Sequence, residues 1–389
     1  LSNPSNNDVA EDFGQQDELE FEEKQPTLSE LVDRIKDPFD PLQIKINRRV
    51  VTVGQVVSRI GFGEIDLAPD FQRRARIWDI PRKSRLIESI ILRIPLPVFY
   101  VAADSHENWR VVDGLQRLTT IYDFIVPSTE HRFSLRGLEY LADFEGADYD
   151  HLPRGIMRRI DETELNINVI ESGTPDQVMF NIFKRLNTGG LILNGQEIRN
   201  ALNPGPARDF LAKLSTSGDF QTATDHSVKD DRMGARELVL RFIAFYITPY
   251  QNYNAGDLDG FLNDAMKKLN SLTDEECQAL RAAFSNAMNR AFAIFGRDAF
   301  RKRYDPIAAR NRVNRALFEA WSVALAMLDE NEAKMSISQA DEIRLSFTSV
   351  LLRDAEFNTS ISVGTGARAT VLKRFSAVEK IIRDAIDAF

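Results

Sequence analysis

The chain of 389 residues contains a single cysteine, Cys277, and four histidines, His106, His131, His151 and His226. One thiol excludes an internal disulfide framework and any zinc site built from several thiolates. No two of the histidines lie at metal-ligand spacing, which argues against a zinc hydrolase, and all four read as structural. An HNH nuclease pattern is also missing. No stretch approaches the ~20 apolar residues that span a bilayer. The N-terminus is polar and acidic, without the basic region and apolar run of a secretory signal, so a cytoplasmic protein is expected. No internal repeat is found.

What is present is an ordinary soluble composition, 43% hydrophobic and 28% charged, on a chain long enough for two or three domains. The net charge of −9 is unevenly spread: residues 1 to 30 carry nine acidic side chains and one basic, Lys24. The rest of the chain is therefore close to neutral. Residues 1–27 read as an acidic, Gln/Asn-rich disordered head, a solvated tail that could also mimic nucleic acid or guard a basic groove.

Ordered structure is expected from "TLSELVDRI", where Leu28, Leu31, Val32 and Ile35 recur at helical spacing. "VTVGQVVSRI" predicts a short helix, followed by a glycine turn and a short strand around Ile65 to Leu67. "IPRKSRLIESIILRIP" predicts an amphipathic helix from Pro81, with Leu86, Ile87, Ile90, Ile91 and Ile94 as its apolar stripe and Arg82, Lys83, Arg85 and Glu88 largely off it. "PVFYVA" and "WRVV" predict a buried hairpin. Leu118, Ile121, Tyr122 and Ile125 then mark a helix, and "ELNINVI" a strand with one wet face. From Pro175 onward the periodicity is helical, with "VMFNIFKRLNTGG" ending at Gly189-Gly190 and Asn194 placed to cap the next helix. "RELVLRFIAFYI" is apolar almost all round, as a central buried helix would be. Pro204, Gly205 and Pro206 break the pattern. The expected fold class is α+β: a small mixed domain over 28–203 and an all-α body over 204–389.

Three stretches could carry chemistry. In "VVDGLQRLTT" a strand runs into Asp113-Gly114 and then into a helix with Gln116 and Arg117 in its first turn. A helix N-terminus offers unpaired N–H groups and the positive end of a dipole, and Gly114 lets a phosphate approach. Arg117 is unfavourable beside that dipole unless an anion is bound, and Asp113 could hold a divalent cation or orient a water. The alternative is a simple strand-to-helix turn. In "APDFQRRARIWD", Gln72, Arg73, Arg74 and Arg76 stand beside Trp78, a mixture suited to phosphate pairing and base or DNA contact. Residues 71 to 93 hold seven basic and two acidic side chains, which also fits a solvated helix face. In "FKRLNTGGLILNGQEIRNAL", Lys184, Arg185, Asn187, Glu197 and Arg199 exceed what a turn needs. A later run, Arg301, Lys302, Arg303, Arg310, Arg312 and Arg315, could be a DNA surface or, more simply, a solvated charged face.

In this order and spacing "PDFQRRARIW", "VVDGLQRLTTI" and "IFKRLNTGGLILNGQEIRNAL" resemble the N-terminal domain of GmrSD-type modification-dependent restriction proteins, and "DRMGARELVLRFIAFY" resembles a later helical segment of that family. The resemblance covers roughly residues 50 to 250. It implies a ParB/sulfiredoxin-like α+β domain with a helical extension, NTP binding and hydrolysis centred on a DGQQR-like motif, and a role in defence against phage or other foreign DNA. Carried over, the motif positions are Asp113, Gly114, Gln116 and Arg117, with Phe71, Gln72 and Arg73 as one flanking element and Arg185, Leu186 and Asn187 as the other. Leu115 stands where the motif has its first Gln, which removes that side chain from catalysis but leaves the backbone cradle. Family members often carry an HNH-type nuclease domain, whereas residues 250–389 contain no histidine.

The expected function is thus an NTP-binding, NTP-hydrolysing component of a restriction system, with Asp113, Gln116 and Arg117 catalytic and Gln72, Arg73, Gly114, Leu115, Arg117, Arg185 and Asn187 around the phosphates. Mg²⁺ is expected on Asp113, and a partner is expected to supply the nuclease. Two other classes stay open: a DNA-binding modification sensor without turnover, and a degenerate protein-interaction scaffold.

Overall fold

The computed structural model describes residues 45–67, 78–127, 129–175, 178–182, 194–254, 257–304 and 309–388. The helix expected over 28–35 and the acidic head lie outside them. Contacts divide the chain at Leu202–Asn203 into two compact units.

The first unit is built on a mixed five-stranded sheet. Its strands are β1 (Ile46–Thr52), β2 (Ile65–Asp66), β3 (Phe99–Ala103), β4 (Trp109–Asp113) and β5 (Glu164–Ile170), in the order β1-β5-β3-β4-β2. β3 and β4 form the expected hairpin, antiparallel, with Val101 opposite Val111. β5 lies parallel to β3 and antiparallel to β1, and β2 lies parallel to β4. β1 has no counterpart among the sequence expectations. It is an edge strand with a mostly exposed pattern, and its Asn47, Arg48 and Arg49 break the apolar alternation that announces a strand.

Helices cover both faces of the sheet. On one face α1 (Val53–Gly61), α2 (Ile80–Ile91), α3 (Leu115–Ile125) and α4 (Arg154–Asp161) bury Val56, Ile87, Ile90, Leu118, Ile121 and Ile160 against Phe99, Val101, Leu165, Ile167 and Val169. On the other, α5 (Gly195–Leu202) sets Ile198 and Leu202, with Phe180, against Ala102, Val112 and Ile170. Local signals fix the ends: Thr52 and Gln55 make a capping box for α1, Asp79 caps α2 with Pro81 in its first turn, and Asn194 and Glu197 bond reciprocally at the start of α5.

Helix α2 corrects one expectation. Lys83 and Glu88 are not on a wet face but are buried, at 7% and 3% exposure. Lys83 Nζ lies 3.6 Å from the fully buried Asp123 of α3 and 5.3 Å from the Phe133 ring. Glu88 accepts N–H bonds from Tyr140 (2.7 Å), Leu141 (2.8 Å) and Glu139 (3.1 Å). Burial pushes its carboxyl up, but the three amides outweigh that and hold it below the usual carboxylate range. A loop returning from 133–147 thus covers side chains that helical periodicity assigned to solvent. Lys83→Met is expected to cost about 3 kcal/mol, because it removes the cation facing a buried carboxylate. Arg85→Met breaks only the exposed Arg85–Glu139 pair and should change stability by less than about 0.5 kcal/mol in the same urea titration. Equal effects would contradict the assignment.

The second unit is helical: α6 (Pro206–Ser215), α7 (Gly218–Ala223), α8 (Gly234–Ile247), α9 (Leu258–Asn270), α10 (Asp274–Phe295), α11 (Arg315–Met327), α12 (Glu330–Ser338), α13 (Ala340–Arg353), α14 (Ala355–Ser360) and α15 (Arg368–Asp387). The expected central helix is α8, buried from Leu238 to Phe245, with Phe242 edge-on to Phe284 of α10. The architecture is therefore α+β with an all-helical C-terminal region. Among the described residues no helix is long and apolar enough to cross a membrane.

In the basic run near residue 301, Arg301 and Lys302 are not on a solvated face, whereas Arg310 is exposed. Arg301, 5% exposed, donates to the Thr224 carbonyl and Ser227 Oγ, and Lys302, 8% exposed, donates to Ser362 Oγ. Arg303 pairs with Asp298, Arg310 with Asp225 and Arg315 with Glu237.

Candidate functional site

Strand β4 leaves the sheet at Asp113, and the chain turns into α3 through Gly114 at φ +96°. That angle is in the left-handed region, which costs a side chain dearly. Space forbids one too: a Cβ on Gly114 would sit 2.4 Å from Phe99 Cδ1 and 3.2 Å from Arg117 Nη2. The turn is folded tightly over the start of β3, where Tyr100 is the register partner of Asp113. No side chain caps α3, and its first turn contains no acidic residue.

One helical turn on, Arg117 reaches back over this corner. Its Nη2 donates to Asp113 Oδ2 at 3.0 Å and to the Val98 carbonyl at 3.3 Å, and its Nη1 donates to the Pro97 carbonyl. The guanidinium carbon stands 4.3 Å from the centre of the Phe99 ring. Burial lowers the pKa of Arg117, Asp113 opposes the shift, and the balance lies below the usual guanidinium value. The side chains of Arg117 and Asp113 are only 12% and 30% exposed, so charge at this corner is screened less than on an open surface. The positive end of α3, a guanidinium and a carboxylate converge within a few ångströms. Such a corner can hold an anion against backbone N–H groups, with Arg117 as fixed positive charge and Asp113 facing what the anion carries.

The structure brings together Asp113, Gly114, Leu115, Gln116 and Arg117, as the sequence requires. Trp78 lies just before the Asp79 cap of α2, where the guanidinium carbon of Arg82 stacks 4.6 Å over its ring and covers one face of the indole. Gln72, Arg73, Arg74, Arg76, Arg185 and Asn187 lie outside the described residues. Sequence reasoning did not single out Phe99 or the Pro97 and Val98 carbonyls. Backbone acceptors leave no mark in a sequence, and Phe99 reads there only as a strand residue.

Among the described residues no group of three or more His, Cys, Asp or Glu could hold a metal ion. Asp113 Oδ2 is already bonded to Arg117. Asp113 fits only as one ligand of an ion whose remaining ligands come from phosphates and water.

This fold and corner define an α+β domain that presents a glycine-gated helix N-terminus, backed by an Arg–Asp pair, at the end of the interior strand β4. Residues 53–203 match the family model described as GmrSD restriction endonuclease, N-terminal domain. The segment holding the corner is thus the N-terminal domain of a restriction endonuclease family. No curated protein matches the chain.

Proposed function

We propose that the chain is the NTP-binding and NTP-hydrolysing component of a prokaryotic modification-dependent restriction or anti-phage system. The observation that supports this most is the left-handed Gly114 turn into an uncapped α3, with the half-buried Arg117–Asp113 pair behind it. The phosphates rest on the first N–H groups of α3, where Gly114 leaves room. Arg117 serves first to lock the corner, through Asp113 and the two carbonyls, and lends its charge from below. Asp113 and Gln116 orient the attacking water, and Asp113 would hold Mg²⁺, which would supply charge neutralisation. Gln72, Arg73, Arg185 and Asn187 complete the phosphate shell in this proposal. Residues 250–389 hold no histidine, so they do not supply DNA cutting of the HNH type, and this proposal assigns that step to a partner nuclease.

Of the seven basic residues in 71–93, Lys83 faces Asp123, Arg82 lies on Trp78 and Arg85 pairs with Glu139. In α2, then, Lys83 is withdrawn from any DNA backbone, while Arg82 and Arg85 stay exposed.

The test is phosphate release and affinity for ATP, GTP, CTP and UTP with Mg²⁺, for wild type beside Asp113→Ala and Arg117→Ala. Turnover should fall at least about 100-fold in both variants, the scale seen when one charged or hydrogen-bonding group is removed from an active site. Melting curves accompany each, since Arg117 also holds the Pro97 and Val98 carbonyls. Unchanged affinity in a folded Arg117→Ala protein would sink the proposal.

A further inference from the structure

Strand β1 is paired on one side only. It runs antiparallel to β5 and stands at the edge of the sheet. The Glu171 N–H donates to the Lys45 carbonyl and the Val53 N–H to the Thr163 carbonyl. Ladder bonds of an antiparallel pair fall on every second residue, so the backbone groups of Asn47, Arg49 and Val51 face β5. Those of Ile46, Arg48 and Val50 point away from it, and none has a partner among the described residues. Such an edge is a template for a further strand unless proline, charge or a covering segment blunts it. No proline interrupts β1, and the free groups are flanked by Ile46 and Val50 at 41% and 53% exposure. The charge between them, on Arg48, is drawn back over β5 by Asn166 Oδ1 at 2.6 Å.

A matching pattern lies in the acidic head. In "ELEFE", Glu18, Glu20 and Glu22 alternate with Leu19 and Phe21, which is the period of a strand and not of a helix. β1 alternates too, with Ile46, Arg48 and Val50 on one face of the sheet and Lys45, Asn47 and Arg49 on the other. Laid beside β1 in one phase, Leu19 and Phe21 share a face with Ile46 and Val50, and the three carboxylates share a face with Lys45 and Arg49. A slip of one residue sets carboxylates on the face of the apolar pair, so one phase is favoured. Residues 23–44 join the two segments and extend to about 70 Å at most, enough for either strand direction. We propose that residues 18–22 add to β1 as a sixth strand and close the open edge of the sheet within the same chain. This part of the head is then a component of the first unit and not a solvated tail, and it withholds the edge from strands of other chains. The inference does not rest on nucleotide binding.

The experiment is amide hydrogen exchange on the full chain, resolved residue by residue across β1, for wild type and for Leu19→Ser/Phe21→Ser. The amides of Ile46, Arg48 and Val50 should exchange at least about tenfold more slowly in wild type than in the double variant. Those of Asn47, Arg49 and Val51, held by β5, should stay protected in both. Glu20→Lys, which sets a cation on the face of Lys45 and Arg49, should release the same three amides, and more so at low salt. Fast exchange of Ile46, Arg48 and Val50 in wild type would overturn the proposal. Equal protection in wild type and in the double variant would overturn it too, because something other than residues 18–22 then covers the edge. Protection that fades on dilution would assign the added strand to a second copy and contradict closure within one chain.

Discussion

Gly114→Ala should destabilise the N-terminal unit by roughly 2–5 kcal/mol and abolish nucleotide binding by the folded remainder. Two costs combine. A non-glycine residue in the left-handed region loses about 1–2 kcal/mol. Overpacking a tight core adds about 1–3 kcal/mol, and here the added methyl meets a ring rather than a yielding chain end. Phe99 Cδ1 lies 2.4 Å from the new atom, and Phe99 is itself fully buried at the start of β3. Relief requires either the ring or the turn to move, and either motion disturbs Arg117, which stacks on that ring and ties Asp113 to the Pro97 and Val98 carbonyls. Urea unfolding followed with nucleotide affinity checks both parts. A Gly114→Ala protein of native stability and native affinity would show that the turn geometry is not what the fold requires.

Glu319→Ala should cost the C-terminal unit about 3–5 kcal/mol, the range for removing one member of a buried ion pair. Glu319 is fully buried on α11 and receives Arg241 Nη1 at 2.9 Å through one carboxylate oxygen and Arg374 Nη2 through the other. Arg374 is equally buried, its Nη1 donating to the Thr365 and Ser360 carbonyls, so without Glu319 its charge has no counterion in these contacts. Arg241 keeps Glu237 at 2.9 Å, and its guanidinium is held above its usual value by Glu237 and Glu319 against the effect of burial. The larger share of the loss therefore falls on Arg374. Hydrogen exchange in the Arg315–Met327 helix reads the change locally. Protection unchanged within about 0.5 kcal/mol would mean the cluster does not hold the helices together. Glu319→Gln, which keeps the hydrogen-bond acceptor and loses the charge, should lie between.

The parts of this molecule that were legible in the sequence are those whose determinants are local. Alternation in "ELNINVI" and the paired apolar runs flanking "ADSHEN" gave β5 and the β3–β4 hairpin, and the all-round apolar surface of "LVLRFIAFY" gave α8. The Asp113-Gly114 turn into a helix could be read because its signal is contiguous, whereas the Asp113–Arg117 pair closes across that turn and was not among the expectations. What escaped depends on distant segments. β1 carries charged and polar residues because it lies at the sheet edge, and only its pairing with β5 makes it a strand. Lys83 and Glu88 look solvated on a helical wheel and become buried because α3 and the 133–147 loop close over them. Arg301 and Lys302 look like a surface run and instead hold carbonyls and hydroxyls of other segments. Phe99 enters the corner only because β3 pairs with β4. The Arg117 fork, read from sequence as free for phosphate, is engaged with Asp113 and two backbone carbonyls, which moves the phosphate contacts in the proposed function onto the α3 backbone.

The central claim is that nucleotide phosphates bind on the first turn of α3. Hydrogen exchange over a peptide spanning residues 111–120, with and without a saturating NTP and Mg²⁺, tests it most directly. The account predicts that the amides of Leu115, Gln116 and Arg117 gain protection on binding. A nucleotide that binds while this peptide exchanges as before, with protection arising elsewhere, would contradict it.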